Sequence, residues 1–189
     1  MTVLILYSTY NGSTREIAEC ICSHIAEQFP PTEVHNIRDF DASLLHNYTA
    51  VIIGSPVHGT RWLDEAIKFC SANKETLIFK PLFAFSVGAP GALPRILQNK
   101  LARLEKRKIY KELQSNLDGK VRMHELFNGM VEKKGEPLIV KICCGLFGGI
   151  TYGDLREWDK IEIWVNAVVA DLKGAQYATE NGEHGTQEA

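Results

Sequence analysis

The stretch Val3-Leu4-Ile5-Leu6-Tyr7-Ser8-Thr9-Tyr10-Asn11-Gly12-Ser13-Thr14-Arg15-Glu16 carries the reading of the fold. Val3 to Tyr7 is short and apolar, the pattern of a strand buried on both faces. The chain then turns polar, with Ser8, Thr9, Asn11, Gly12, Ser13 and Thr14 in close succession. Apolar residues follow at Ile17, Ala18, Ile21, Cys22, Ile25 and Phe29, a helical spacing that Pro30-Pro31 ends. A strand, a loop of hydroxyls and glycine, and a helix start together make an anion site. The first N–H groups of a helix lack intrahelical acceptors, and its dipole adds partial positive charge there. A phosphate can sit at such a place without Lys or Arg, and hydroxyls donate further hydrogen bonds to it.

Working outward, 189 residues suffice for one domain with a sizeable core. Apolar content of 45% and charged content of 23% are those of a soluble globular protein. A net charge of −2 gives no basic field, so nucleic acid is not the expected partner. No apolar run approaches the ~18 residues of a membrane span, so no integral membrane segment is expected. The N-terminus enters a strand pattern at once, without a leader pattern, and the expected location is cytoplasmic. The five cysteines, Cys20, Cys22, Cys70, Cys143 and Cys144, are odd in number and lack zinc-site spacing. Cys20, Cys22 and Cys70 read as reduced thiols used as small hydrophobes, with no metal site expected. Adjacent Cys143 and Cys144 would be strained as a disulfide.

Further along, Thr32 to Ile37 reads as a second strand, and Asp39 to Asn47 as a polar connection. Ala50 to Ile53 is β-branched and continuous, a central strand that ends in the loop Gly54 to Thr60. Helical spacing resumes from Trp62 to Cys70. Pro81 to Val87 reads as the next strand, ending in the small-residue loop Gly88 to Ala92. Leu93 to Lys134 reads as charged and helical, an extended segment whose basic density fits a solvated face. Leu138 to Cys144 reads as the last strand, followed by the glycine-rich loop Gly145 to Asp154 and a helix from Trp158 to Leu172. Residues 173–189 read as a polar, disordered tail. Strand and helix alternate about five times, which predicts a parallel sheet covered on both faces. The loops starting at Ser8, Gly54, Gly88 and Gly145 then share its carboxyl edge, where such sheets bind ligands.

These loops resemble those of the flavodoxin family. Ser8 to Thr14 resembles its phosphate loop, and Gly54-Ser55-Pro56-Val57-His58-Gly59 is similar to its loop after the third strand. The resemblance runs to about Leu172. It implies a flavodoxin-like α/β fold, a five-stranded parallel sheet of order 2-1-3-4-5, with FMN as cofactor. An acidic cluster after the first strand, which a flavin-free relative such as a response regulator would carry, is not there. Ser-Thr-x-x-Gly-x-Thr-Arg-Glu-Ile-Ala and Gly148-Gly149-Ile150-Thr151-Tyr152 look like the branch that includes the menaquinone-dependent protoporphyrinogen dehydrogenases. Members of that branch often carry a basic insertion after the second motif. Here the chain is expected to run almost directly into its last helix, and the membrane-quinone activity is not carried over.

The resemblance assigns the FMN phosphate to Ser8, Thr9, Asn11, Gly12, Ser13 and Thr14. Tyr10 either covers the ribityl chain or ring edge or is simply exposed. Pro56, Val57, His58 and Gly59 would face the flavin ring, with His58 where electron carriers often stack a Trp. Trp62 reads equally as a packing residue. Ser86, Val87, Gly88, Ala89, Pro90 and Gly91 would line the pyrimidine side, and Phe147 or Tyr152 could supply a missing aromatic. No side chain is needed as acid or base, so none is named catalytic. The implied function is electron transfer, as a redox carrier or an oxidoreductase acting on a quinone-like or other small acceptor. A redox partner protein or a small acceptor would be its counterpart, and an oligomer is left open. The alternative is a flavin-free interaction domain that keeps the fold.

Overall fold

The computed structural model describes residues 1–132 and 149–184. Strand β1 (Val3–Tyr7) is buried along its whole length. It pairs in parallel with β2 (Thr32–Asn36) on one side and β3 (Ala50–His58) on the other. Strand β5 (Leu82–Gly88) pairs with β3, and β6 (Val121–Asn128) with β5, both in parallel. The short β4 (Arg61–Trp62) folds back antiparallel on the end of β3. The sheet order is β2-β1-β3-β5-β6. Counting only its five parallel strands, that is the flavodoxin order 2-1-3-4-5.

Helices cover both faces because the crossovers between parallel strands must return over them. Helix α1 (Ser13–Ala26) and the last helix, α5 (Trp158–His184), cover one face. There Ile5, Ile17, Ile21, Ile52, Phe83, Phe127 and Val165 pack together. The second core, on the opposite face, draws on Ala66 and Phe69 of α2 (Asp64–Ala72), the four-residue α3 (Lys74–Leu77), and α4 (Arg95–Asn116). Leu4, Leu6, Val51, Ile53, Ile109 and Leu113 fill it. Each such aliphatic side chain contributes about 1.5–3 kcal/mol when fully buried. Gly54 in β3 has no room for a side chain: a Cβ there would stand 2.0 Å from the Phe85 ring.

Three segments differ from the sequence-based expectation. Helix α4 ends at Asn116, and the fifth parallel strand is Val121–Asn128, inside the stretch expected to be helical. Its alternation is blurred by a register shift at its start and by Arg122 and Glu125, which an edge strand tolerates. The expected strand Leu138 to Cys144 lies outside the described residues. Second, β3 continues as strand through His58, and Gly59 and Thr60 both take positive φ (57° and 67°). That is the two-residue hairpin turn that joins β3 to β4. Third, α5 runs to His184, so residues 173–184 are helical where a disordered tail was expected.

One consequence is topological. Residues 129–157 separate the last sheet strand from α5, and from the Gly148–Tyr152 motif the chain runs almost directly into α5 at Trp158, as expected. The segment opens and closes on a small antiparallel ladder, β7 (Met130–Val131) with β8 (Gly153–Asp154). No helix among the described residues is long and apolar enough to cross a membrane.

Candidate functional site

The carboxyl edge of the sheet carries a cleft of about 470 Å³, within the usual size for small ligands. Three loops wall it. Thr9, Tyr10, Asn11, Ser13 and Thr14 come from the turn between β1 and α1. Pro56, Val57 and His58 come from the end of β3. Val87, Gly88 and Ala89 come from the end of β5. Gly129 and Met130, just past β6, complete the wall. Among the described residues the wall holds no Lys, Arg, Asp or Glu.

At the β1–α1 turn, Gly12 caps α1 with φ 92°, which glycine adopts without strain, and no side chain caps the helix. The first N–H groups of α1 are therefore left for a ligand. Thr9 Oγ1 accepts the Gly12 N–H at 3.0 Å and curls the loop over the helix end. Ser13 Oγ accepts the Met130 N–H at 3.2 Å, which leaves the Ser13 proton to donate elsewhere. Thr14 is buried against the cleft floor. N–H groups and hydroxyls with a helix dipole behind them fit a phosphate monoester; a carboxylate side chain at Gly12 would not.

Tyr10 and His58 stand across the cleft mouth, ring centroids 5.9 Å apart and tilted by 33°. Tyr10 is 75% exposed. Trp62 is not part of this rim. It is buried under the hairpin, and its indole N–H donates to Ser86 Oγ at 2.7 Å.

Several residues assigned to the site from sequence sit away from the wall. Ser8 is fully buried and donates to Ser55 Oγ, which in turn donates to the Pro56 carbonyl and accepts the Leu63 N–H. These bonds tie β1 to the β3 hairpin. Ser86 is likewise buried, between Trp62 and the His124 ring. Ser86 in β5, and Ser8 just past the end of β1, continue the alternation of Leu82 and Ala84 and of Leu4 and Leu6 into the second core. Gly91 gives its N–H to Asn128 Oδ1 behind the third loop. Gly12 and Gly59 shape their turns without lining the cleft. Among the described residues Tyr152 does not line it either, and Phe147, Cys143 and Cys144 lie outside the described residues. Cys70 is fully buried, which pushes its thiol up to about 12, and burial also raises Cys20 and Cys22, so none of the three is a ready nucleophile.

Gly129 and Met130 were missed. Asn128-Gly129 is a turn signal, but it marks a strand end only once Val121 to Asn128 is seen as a strand. A Cβ on Gly129 would come within 2.8 Å of Val87 Cγ1, so glycine lets the chain pass close beside the end of β5.

Residues 4–142 match the family model of the flavodoxin domain. The chain belongs to the flavodoxin family. Its fold is shared with the rubredoxin oxygen:oxidoreductase of Desulfovibrio gigas, at TM-score 0.59 and 14% identity, over 92% of this chain and 36% of that one. A Streptococcus pneumonia TIGR4 flavodoxin superposes over 93% of this chain and 99% of its own, at TM-score 0.58 and 12% identity. A Fusobacterium nucleatum flavodoxin gives TM-score 0.53 at 12% identity, over 92% of this chain and 98% of that one. Among curated proteins, the chain is similar to the protoporphyrinogen IX dehydrogenase [quinone] of Escherichia coli K12, at 29% identity over 94 residues. That match covers 50% of this chain and 52% of the relative, so the chain spans about half the length of the curated relatives it matches.

Proposed function

We propose that this flavodoxin-family chain holds FMN in the cleft and transfers electrons through it to a small acceptor. The observation that carries the reading is the uncapped α1 start, walled by hydroxyls and by no charged side chain. The N–H groups of the first turn of α1, with the hydroxyls of Thr9, Ser13 and Thr14, hold the phosphate. Pro56, Val57 and His58 bound one side of the ring, and Gly88, Ala89 and Gly129 the other. The glycines let main-chain N–H and C=O groups approach its edges. FMN supplies the one- and two-electron chemistry when bound; the protein sets orientation and potential. The solved structure of the Fusobacterium nucleatum flavodoxin is bound to flavin mononucleotide.

An oxidoreductase acting on a quinone-like or other small acceptor is favoured over a pure protein-to-protein carrier. The mouth between Tyr10 and His58 is exposed, and a net charge of −2 gives little steering toward a basic partner protein. The half-length similarity to a quinone-linked dehydrogenase points the same way.

Purified protein is expected to be yellow, absorbing near ~450 nm, and to release FMN on denaturation. Thr14→Ala combined with Gly12→Asp removes a hydroxyl from the wall and adds a negative charge beside the α1 start. FMN affinity should fall at least about a hundredfold. A colourless protein that fails to take up added FMN would instead favour a flavin-free interaction domain. Turnover with a panel of electron donors and quinones then separates enzyme from carrier.

A further inference from the structure

Helix α4 differs in charge from the rest of the molecule. It holds seven Lys and Arg against Glu105 and Glu112, on a chain whose net charge is −2. Neither acid offsets its outer surface. Glu112 is taken by Arg61 at 3.0 Å, and Glu105 is half-buried beside Gly88. Lys106 is paired with Glu125, and Lys108 Nζ donates to Thr60 Oγ1 at 2.5 Å. The other five cations, Arg95, Lys100, Arg103, Arg107 and Lys111, are exposed and form no ion pair among the described residues.

Helical spacing sets four of these charges in a ridge. At 3.6 residues per turn, Lys100, Arg107 and Lys111 run down the middle of the outward face, with Arg103 beside them. Like charges three and four residues apart repel, and no acid of α4 relieves them. Apolar side chains flank the ridge. Ile96 is 79% exposed on one margin, and Leu104 and Leu101, at 54% and 38%, lie on the other. Leu101 and Leu104 open into a groove of about 320 Å³ that Leu93 and Thr60 close.

The groove adjoins two of the loops that wall the flavin cleft. Thr60 stands two residues past His58, and Leu93 four past Ala89, so the same two loops serve both cleft and groove. The bonds of Lys108 to Thr60 and of Arg61 to Glu112 fix the β3–β4 turn to α4.

An oxidoreductase with a small acceptor also requires an electron donor. We propose that this face of α4 docks a small acidic electron-carrier protein, which delivers electrons to the flavin. Carboxylates of the carrier meet Lys100, Arg103, Arg107 and Lys111, and an apolar side chain of the carrier enters the groove over Leu101 and Leu104. A bilayer is the poorer occupant. Insertion needs the apolar residues together with cations at the margins, and here the cations hold the middle. Docking stands on the charge and shape of α4, whereas electron delivery rests on the FMN reading above. Each reduced carrier is oxidised by one electron at the flavin, so two dock in turn for a two-electron reduction, with protons drawn from solvent.

The test uses the FMN-loaded full chain, with a plant-type 2Fe–2S ferredoxin, small and strongly acidic, as probe and basic cytochrome c as control. Calorimetry at low salt should show saturable binding of ferredoxin and none of cytochrome c. Raising the salt from about 0.05 M to about 0.2 M should weaken it at least about threefold. Lys100→Gln with Arg107→Gln and Lys111→Gln, all outside the flavin cleft, should weaken it at least about tenfold with FMN content unchanged. Leu104→Ser should weaken it about threefold or more. In anaerobic stopped flow, the triple variant should slow flavin reduction by ferredoxin to the same extent and leave reduction by dithionite unchanged. The proposal is overturned if the triple variant binds ferredoxin like the parent, or if cytochrome c binds as tightly. It is also overturned if the chain sediments with phosphatidylglycerol vesicles through the same residues and leaves ferredoxin unbound. Docking with equal reduction rates in parent and variant would overturn the delivery of electrons. A chain that takes up no FMN yet binds ferredoxin through these residues would overturn the flavin reading and keep the docking site.

Discussion

His124 stands between the Tyr110 ring and the Ser86 hydroxyl, and the cost of charging it there, with Lys106 nearby, lowers its pKa from 6.5 to about 4. The unfolded chain takes up this proton near pH 6.5, while the folded chain refuses it until about pH 4. Stability is therefore complete above pH 6.5 and falls as the pH drops through that window. The loss from this one residue approaches roughly 3 kcal/mol. His124→Phe keeps the ring stack and removes the ionisation. Urea denaturation at pH 7 and pH 4.5 should show a smaller acid loss in the variant, by about 2 kcal/mol. An equal loss in both proteins would place the acid sensitivity elsewhere.

At the level of elements, the close contact between β3 and β5 sets the spacing of two of the cleft's walls. Phe85 fills the space above Gly54, and the same strand two residues on carries Val87 into the cleft. Gly54→Ala forces its methyl against that ring. It should destabilise the protein by about 1–3 kcal/mol in thermal or urea unfolding, and Phe85→Leu in the same chain should recover part of the loss. The β3–β4 hairpin is a second such device. Trp62 pairs with Val57 across it and anchors through Ser86, so the loop that carries His58 rests on a buried post.

Across the whole molecule, Arg156 links parts far apart in sequence. Its buried guanidinium grips Asp154 of β8 through two hydrogen bonds of 2.8 and 2.7 Å and reaches Glu16 in the first turn of α1. It also lies 4.8 Å over the Trp158 ring. The stem of the 129–157 segment is thereby clamped beside the β1–α1 loop, and the Glu16 charge there is paired. Arg156→Leu should lower FMN affinity about tenfold, through the bare carboxylate at the helix start. Glu16→Gln in the same chain should restore most of it. Equal FMN affinity in the single variant and the parent, measured by fluorescence titration, would show that the clamp does not reach the cofactor.

The sequence by itself determined the parallel sheet and the loop beside its first strand. Buried parallel strands are continuous apolar runs, and Val3 to Tyr7 and Ala50 to Ile53 need no partner to be recognised. The hydroxyls and glycine at α1 are equally legible, because the anion-binding character of a helix start is local to the chain there. Tertiary structure decided the rest. Val121 to Asn128 becomes a strand because β5 offers an edge, and its charged residues gain the helix faces of α4 and α5 as neighbours. Ser8 and Ser86 leave the cleft because strand alternation turns them into the core, where Ser55, Trp62 and His124 wait for their hydroxyls. Gly129 enters it because the fifth strand ends beneath the first loop. The grip of Arg156 on Glu16 spans 140 positions of chain, a distance over which no local pattern carries information.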